Sequence, residues 1–206
     1  MIAFYISGHG FGHASRSVTV INALRERRPG LPVLVCTNAP PTLITPSVTE
    51  PVTLRALECD TGLAQIDSLR ADEAGSLRRA AAFHADLPDK ARREADVLRA
   101  YGVRLVVGDI PPLAFAAAAA AGLKSVAVAN FTWDWIYEGF PEYDVLIAGM
   151  RRYTRSEFIE PEVLRTGEWG PYLDRLLAKP APIERPRVDG ADVAAEMILE
   201  VGELTL

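Results

Sequence analysis

Short apolar runs alternate with longer stretches whose apolar residues recur at helical spacing along the first two-thirds of the chain. Residues 2–7 form a compact apolar run and predict a strand. Residues 15–28 follow with Val18, Ile21 and Leu24 on one helical stripe and a basic last turn, closed by Pro29-Gly30. Residues 33–36 predict a second strand, and 52–58 a weaker third one after a loop with Pro40, Pro41, Pro46 and Pro51. Residues 68–101 read as helical with a break at Pro88. Residues 105–107 predict a fourth strand and 125–129 a fifth. Between them lies an alanine-rich helix over 113–121, introduced by Pro111-Pro112 and capped by Gly122.

Strands that are apolar throughout, and that alternate with helices, belong in a parallel sheet covered on both faces. The expectation is an α/β fold with one Rossmann-like, doubly wound, mainly parallel sheet. Residues 140–206 break the pattern. Helical stretches fall at 157–164 and 171–178, a proline-rich linker at 179–187, and a closing helix at 189–201. Val193, Met197 and Ile198 predict the stripe by which that last helix packs back on the sheet domain. The division expected is residues 1–139 as the sheet domain and 140–206 as a helical extension.

Composition narrows the function classes. Basic residues number 22 and acidic ones 27 among 206, a formal charge of −5, so no electrostatic footprint of a nucleic-acid binder is present. No apolar run is long enough to predict a membrane span. The opening Met-Ile-Ala-Phe-Tyr-Ile carries no basic segment and no cleavage-type site, so no export signal is expected. Cys36 and Cys59 are too few for a disulfide scaffold or a structural zinc site and read as buried thiols of a cytoplasmic protein.

The richest segment is Ser7-Gly8-His9-Gly10-Phe11-Gly12-His13-Ala14-Ser15-Arg16, between the first strand and the first helix. Ligands of open α/β sheets bind at such carboxyl ends of strands. Glycines permit a tight turn and close backbone approach, and the helix start offers unpaired N–H groups. The spacing does not fit a nicotinamide-cofactor fingerprint, because His13 stands where the third glycine would fall and no acidic residue follows the second strand. No Lys-Ser/Thr pair follows as in a P-loop. Two of the chain's 3 histidines lie in this loop. Histidine is the side chain best suited to take a proton near neutral pH.

The other strand ends agree with this placement. Asp109 follows the fourth strand, and Asn130 follows the fifth, heading Asn130-Phe131-Thr132-Trp133-Asp134-Trp135-Ile136-Tyr137. Carboxylates, an amide and indoles suit a sugar, which needs hydrogen bonds at its edges and an apolar surface against its C–H face. The bland alternatives are that the aromatic residues pack in the core and that Asp109 caps the next helix. The candidate site is His13 as proton acceptor, with Gly8, His9, Gly10, Phe11, Gly12, Asp109, Asn130, Trp133 and Asp134 as binding residues. No metal-ligand cluster is visible in the sequence.

The motif Gly8-His9-Gly10-Phe11-Gly12-His13 resembles the glycine–histidine loop of GT-B glycosyltransferases. It is more similar still to the loop of the glycosyltransferase-like module in plant arabinokinases and bacterial relatives. Those also carry an Asn-Phe-Ser/Thr-Trp-Asp stretch beside an aspartate that follows a strand. The resemblance implies two Rossmann-like domains with the site between them. The N-terminal one would hold the acceptor, with His13 as general base. A nucleotide-sugar donor would be a substrate, and no cofactor is implied. Residues 143–146, 151–158, 164–169 and 189–191 resemble the extreme C-terminal end of the same family. The chain therefore resembles a GT-B protein without the middle of its donor domain.

Three readings remain open from sequence. The chain is a glycosyltransferase or its acceptor half, a non-catalytic sugar or nucleotide binding module, or a minimal structural Rossmann-like domain. A small sugar or nucleotide sugar is the expected partner, and self-association through apolar surface is compatible with a missing partner domain.

Overall fold

The computed structural model describes residues 1–67, 70–129, 148, 151–182, 184–185 and 187–204, with only the backbone of Pro161. They fall into two compact units, one spanning Met1–Trp133 with Asp189–Leu206 and the other Asp134–Val188.

The first unit is built on β1 (Ile2–Ile6), β2 (Val33–Thr37), β3 (Thr53–Ala56), β6 (Leu105–Asp109) and β7 (Lys124–Ala127), with a small antiparallel pair, β4 (Gln65–Asp67) and β5 (Arg70–Ala71), beside it. The sheet order is β3-β2-β1-β6-β7 and every pairing in it is parallel. That is the doubly wound order in which the chain reverses direction across the sheet at β1, so the crevice lies at the carboxyl ends of β1 and β6.

Strand alternation sorts the core onto two faces. Ile2, Phe4, Ile6, Val33, Val35, Leu105 and Val107 point to one side. There they meet α1 (Gly12–Arg27) and α7 (Gly190–Val201). Ala3, Tyr5, Leu34, Cys36 and Val106 point to the other side. That face is covered by α3 (Leu87–Ala100) and α4 (Pro112–Ala121), with α2 (Glu73–Ala85) set against them. The central strands are buried on both faces, which is why they read as continuous apolar runs. Gly122 ends α4 in the left-handed conformation, as the sequence predicts.

Three local expectations need correcting. Residues 68–101 are not one broken helix. Asp72 caps α2 by accepting from the Gly75 N–H, a strand pair precedes it, and the break falls at Asp86. Pro88 sits in the first turn of α3, where no backbone N–H is needed. The helix expected at 157–164 is α5 (Pro161–Thr166), again with proline in its first turn; α6 (Gly170–Ala178) follows. The closing helix α7 does pack on the sheet domain, but only Ile198 of its predicted stripe is buried. Val193 and Met197 are exposed, while Ala195, Ile198 and Leu199 enter the core. Small alanines let α7 approach α1 closely, and at the rim of that contact Arg27 pairs with Asp192 at 2.8 Å and Glu196 at 3.2 Å.

Cys36 and Cys59 are free and buried, with the Cys59 Sγ against the Cys36 carbonyl at 3.3 Å. Burial pushes the Cys36 thiol up to about 11 and holds Cys59 well above its ordinary value. The thiolate is the reactive form. The folded protein should therefore react very slowly with a thiol-specific dye near neutral pH, and both thiols should react at once in denaturant. Fast labelling of the folded chain would contradict the burial.

In the second unit, Arg175 and Lys179 both pair with Glu157, and Arg175 also lies over the Tyr172 ring. The Trp169 indole donates to the Leu164 carbonyl at 3.2 Å. Among the described residues no helix is long and apolar enough to cross a membrane.

Candidate functional site

The register of β6 decides where its last side chain goes. Leu105 and Val107 face α1, so Asp109, two residues further, faces it as well. The chain then turns sharply. Ile110 has φ 79, a conformation that β-branched residues rarely adopt, and Pro111 follows and caps α4. Asp109 does not cap that helix. It is fully buried and serves the first two turns of α1 instead.

Four donors converge on its carboxylate. His13 Nδ1 lies 2.8 Å from Oδ1. Arg16 gives Nε to Oδ2 at 3.1 Å and Nη2 to Oδ1 at 2.5 Å, and the Ser17 hydroxyl donates to Oδ2 at 2.7 Å. Burial pushes the Asp109 carboxyl up, but the hydrogen bonds from His13, Arg16 and Ser17 and the Arg16 charge outweigh it, so the acid lies below its ordinary value. An ionised carboxylate only accepts, so His13 Nδ1 carries the proton in that bond. Nδ1 is then no acceptor for Arg16, whose Nη2 lies 3.4 Å away and is satisfied by Asp109. The other ring nitrogen, Nε2, keeps its lone pair in the neutral ring.

The opposite face of β1 carries a second pair. Ser7 continues the alternation of Ala3 and Tyr5, and its hydroxyl donates to Asp60 at 3.1 Å. His9 donates its backbone N–H to the Ser7 hydroxyl at 3.4 Å, and its Nε2 lies 3.7 Å from the same Asp60 oxygen, enclosed and with no hydrogen bond of its own among the described residues. The Ser7 N–H reaches the Asp109 carbonyl at 3.3 Å and so ties the two pairs together.

The glycines explain the shape of the loop. Gly10 has φ 71, which favours glycine. A β-carbon on Gly8 would fall 1.6 Å from the Asn38 amide oxygen and 3.2 Å from the Ala39 backbone nitrogen, so a side chain there would displace Asn38 from the end of β2. Helix α1 begins at Gly12, not at residue 15, which places His13 inside its first turn. That turn has no acidic residue and no side-chain cap. Phe11 leaves the histidine group; it is 72% exposed and borders a groove of about 390 Å³ with Ser15, Thr19, Thr42 and Leu43.

Of the sequence candidates, His13 and Asp109 meet directly, His9 stands across β1 from them, and Phe11 lies aside. Asn130, Trp133 and Asp134 lie outside the described residues. Arg16, Ser17, Ser7 and Asp60 were not among the candidates. Arg16 and Ser17 follow His13 by helical spacing, a legible signal once the helix is known to start at Gly12. Asp60 gave no such signal, since it sits in an irregular segment 53 residues from its Ser7 partner.

Comparisons with known proteins found similar chains. Over 170 residues the chain is 38% identical to an L-arabinokinase from Arabidopsis thaliana. It is similar to one part of that protein. The match covers 77% of this chain and 16% of the arabinokinase. Among solved structures the chain is similar to a UGT transferase from Siraitia grosvenorii in complex with UDP, at 18% identity and a TM-score of 0.41, over 62% of this chain and 27% of the other. No known family profile matches the chain.

Proposed function

We propose that the chain is a glycosyltransferase-like, sugar-binding module, and that its described site is the acceptor side of a GT-B-type transfer centre. The observation that carries this reading is the 2.8 Å contact between His13 and a fully buried, ionised Asp109. Asp109 fixes the ring orientation and the tautomer, so Nε2 is the basic atom. In transfer, a sugar hydroxyl loses its proton to Nε2 while its oxygen attacks the anomeric carbon. The electron pair of the broken C–O bond leaves with the nucleoside diphosphate. The donor is a substrate in this scheme, and no cofactor takes part. Asp109, Arg16 and Ser17 position His13 without touching the reacting atoms. The relative's name makes L-arabinose the first acceptor to test.

A second reading has its own support. The relative is named as a kinase, and this chain spans only 16% of it, which suits a module that binds sugar without turnover. In either case turnover by the chain alone should be poor. Most of a transferase's rate comes from holding leaving group and nucleophile in line, and the sequence shows no glycine-rich turn in residues 140–206 to hold a donor.

A thermal-shift screen of free sugars, nucleotides and nucleotide sugars tests the proposal, repeated on His13→Ala. A ligand at about 100 times its Kd adds about 2.7 kcal/mol of stability, enough to raise the melting temperature by several degrees. L-Arabinose or another free sugar should shift the parent and not the variant. Labelled nucleotide sugars should then separate transfer from binding alone. A screen in which no sugar shifts the parent, or in which His13→Ala responds equally, would sink both readings.

A further inference from the structure

The second unit carries a cationic cleft that the His13 site does not use. Its volume is about 480 Å³, within the range of small-ligand sites. One wall is the segment holding Arg151, Arg152, Arg155 and Ser156; the other includes Lys179, Pro180 and Glu184. Four cations and one carboxylate thus line the cleft of a chain that is formally −5 overall.

The cations divide into two kinds. Arg152 reaches across to Glu184 at 2.7 Å, and Lys179 is held by Glu157 and the Ser156 carbonyl. These contacts tie the two walls together and spend the local acids. Arg151 and Arg155 have no hydrogen bond or ion pair among the described residues, and both are exposed. Two unpaired guanidinium groups beside two further cations repel one another, and a multiply charged anion turns that repulsion into attraction. Guanidinium forks match phosphate oxygens in pairs, which ammonium groups do not. Pro180 and Pro182 restrict the backbone of the facing wall, so less freedom is lost when a ligand binds.

We propose that this cleft binds the phosphate or diphosphate group of a small molecule, with Arg151 and Arg155 as the principal ligands. The site is independent of the function proposed for the glycine–histidine loop.

Isothermal titration of the full chain with inorganic pyrophosphate at low salt tests it. We expect saturable binding that weakens about tenfold in the Arg151→Ala/Arg155→Ala variant, since two exposed charge-assisted contacts, each worth up to about 1 kcal/mol, are lost together. Both residues are exposed, so the variant should keep its fold and its melting temperature. Arg155→Lys should retain part of the affinity, and added salt should weaken binding. Inorganic phosphate should bind more weakly than pyrophosphate, and L-arabinose should not compete with either. His13→Ala should bind pyrophosphate as the parent does. Absence of binding to the parent, equal affinity in the double arginine variant, or loss in His13→Ala would each overturn the assignment.

Discussion

Replacing Asp109 by asparagine is expected to lower the unfolding free energy by about 3 kcal/mol and to free the His13 ring. Asp109 is fully buried and accepts from His13, Arg16 and Ser17 together. Asparagine keeps the shape but turns an NH₂ toward one of these donors and removes the charge that faces Arg16. Breaking a buried pair costs about 3–5 kcal/mol, and the Arg16 side chain, 30% exposed, can turn partly to water, which favours the lower end. Urea unfolding measures the loss. A change below about 1 kcal/mol would mean that the donors find other partners.

The same carboxylate sets an acid dependence. Its folded pKa lies below the ordinary 3.8, so the unfolded chain takes up the proton first as pH falls. Its contribution is complete above that unfolded value and is lost as pH drops through the folded one. Asp109→Asn should therefore lose less stability than the parent between neutral pH and the strongly acid range.

How far these features could be read from sequence depends on what each one rests on. β1, β2 and β6 are buried on both faces, and burial of that kind writes itself as uninterrupted apolar residues. The strand-end rule then places Asp109 and the glycine–histidine loop at one edge without any knowledge of contacts. The pairing of His13 with Asp109 needs more: the parity of β6 and a helix that begins at Gly12. Phe11, Gly12 and His13 give little local helical signal, so the sequence suggests a later start and leaves Arg16 and Ser17 out of the site. The rotation of α7 was illegible for a different reason. Val193 and Met197 are apolar, but the side with Ala195, Ile198 and Leu199 lets the α7 backbone come closer to α1 and still buries two large side chains. Hydrophobicity ranks faces, whereas close approach between backbones chooses among faces of similar apolarity.

A second buried carboxylate separates stability from function. Glu94 is 5% exposed, on the face of the sheet covered by α3 and α4. It accepts from the Tyr5 hydroxyl at 2.9 Å and takes Arg55 in a two-pronged pair at 2.6 and 2.7 Å. Burial, the neighbouring thiols and Glu94 push the Tyr5 hydroxyl far above its ordinary value, so it stays a donor. Glu94→Gln removes the charge opposite Arg55 and puts an NH₂ against a donor, so it too should cost about 3 kcal/mol. None of these atoms touches His13, Asp109 or the glycine loop. Glu94→Gln should thus leave the His13 ring as in the parent, with Nδ1 protonated, whereas Asp109→Asn should release that tautomer preference. Nitrogen NMR of the imidazole reads the difference without any ligand, under conditions where both variants are folded. Loss of the tautomer preference in Glu94→Gln would show that it follows from overall stability. Loss in Asp109→Asn alone ties the basic nitrogen of His13 to one buried carboxylate.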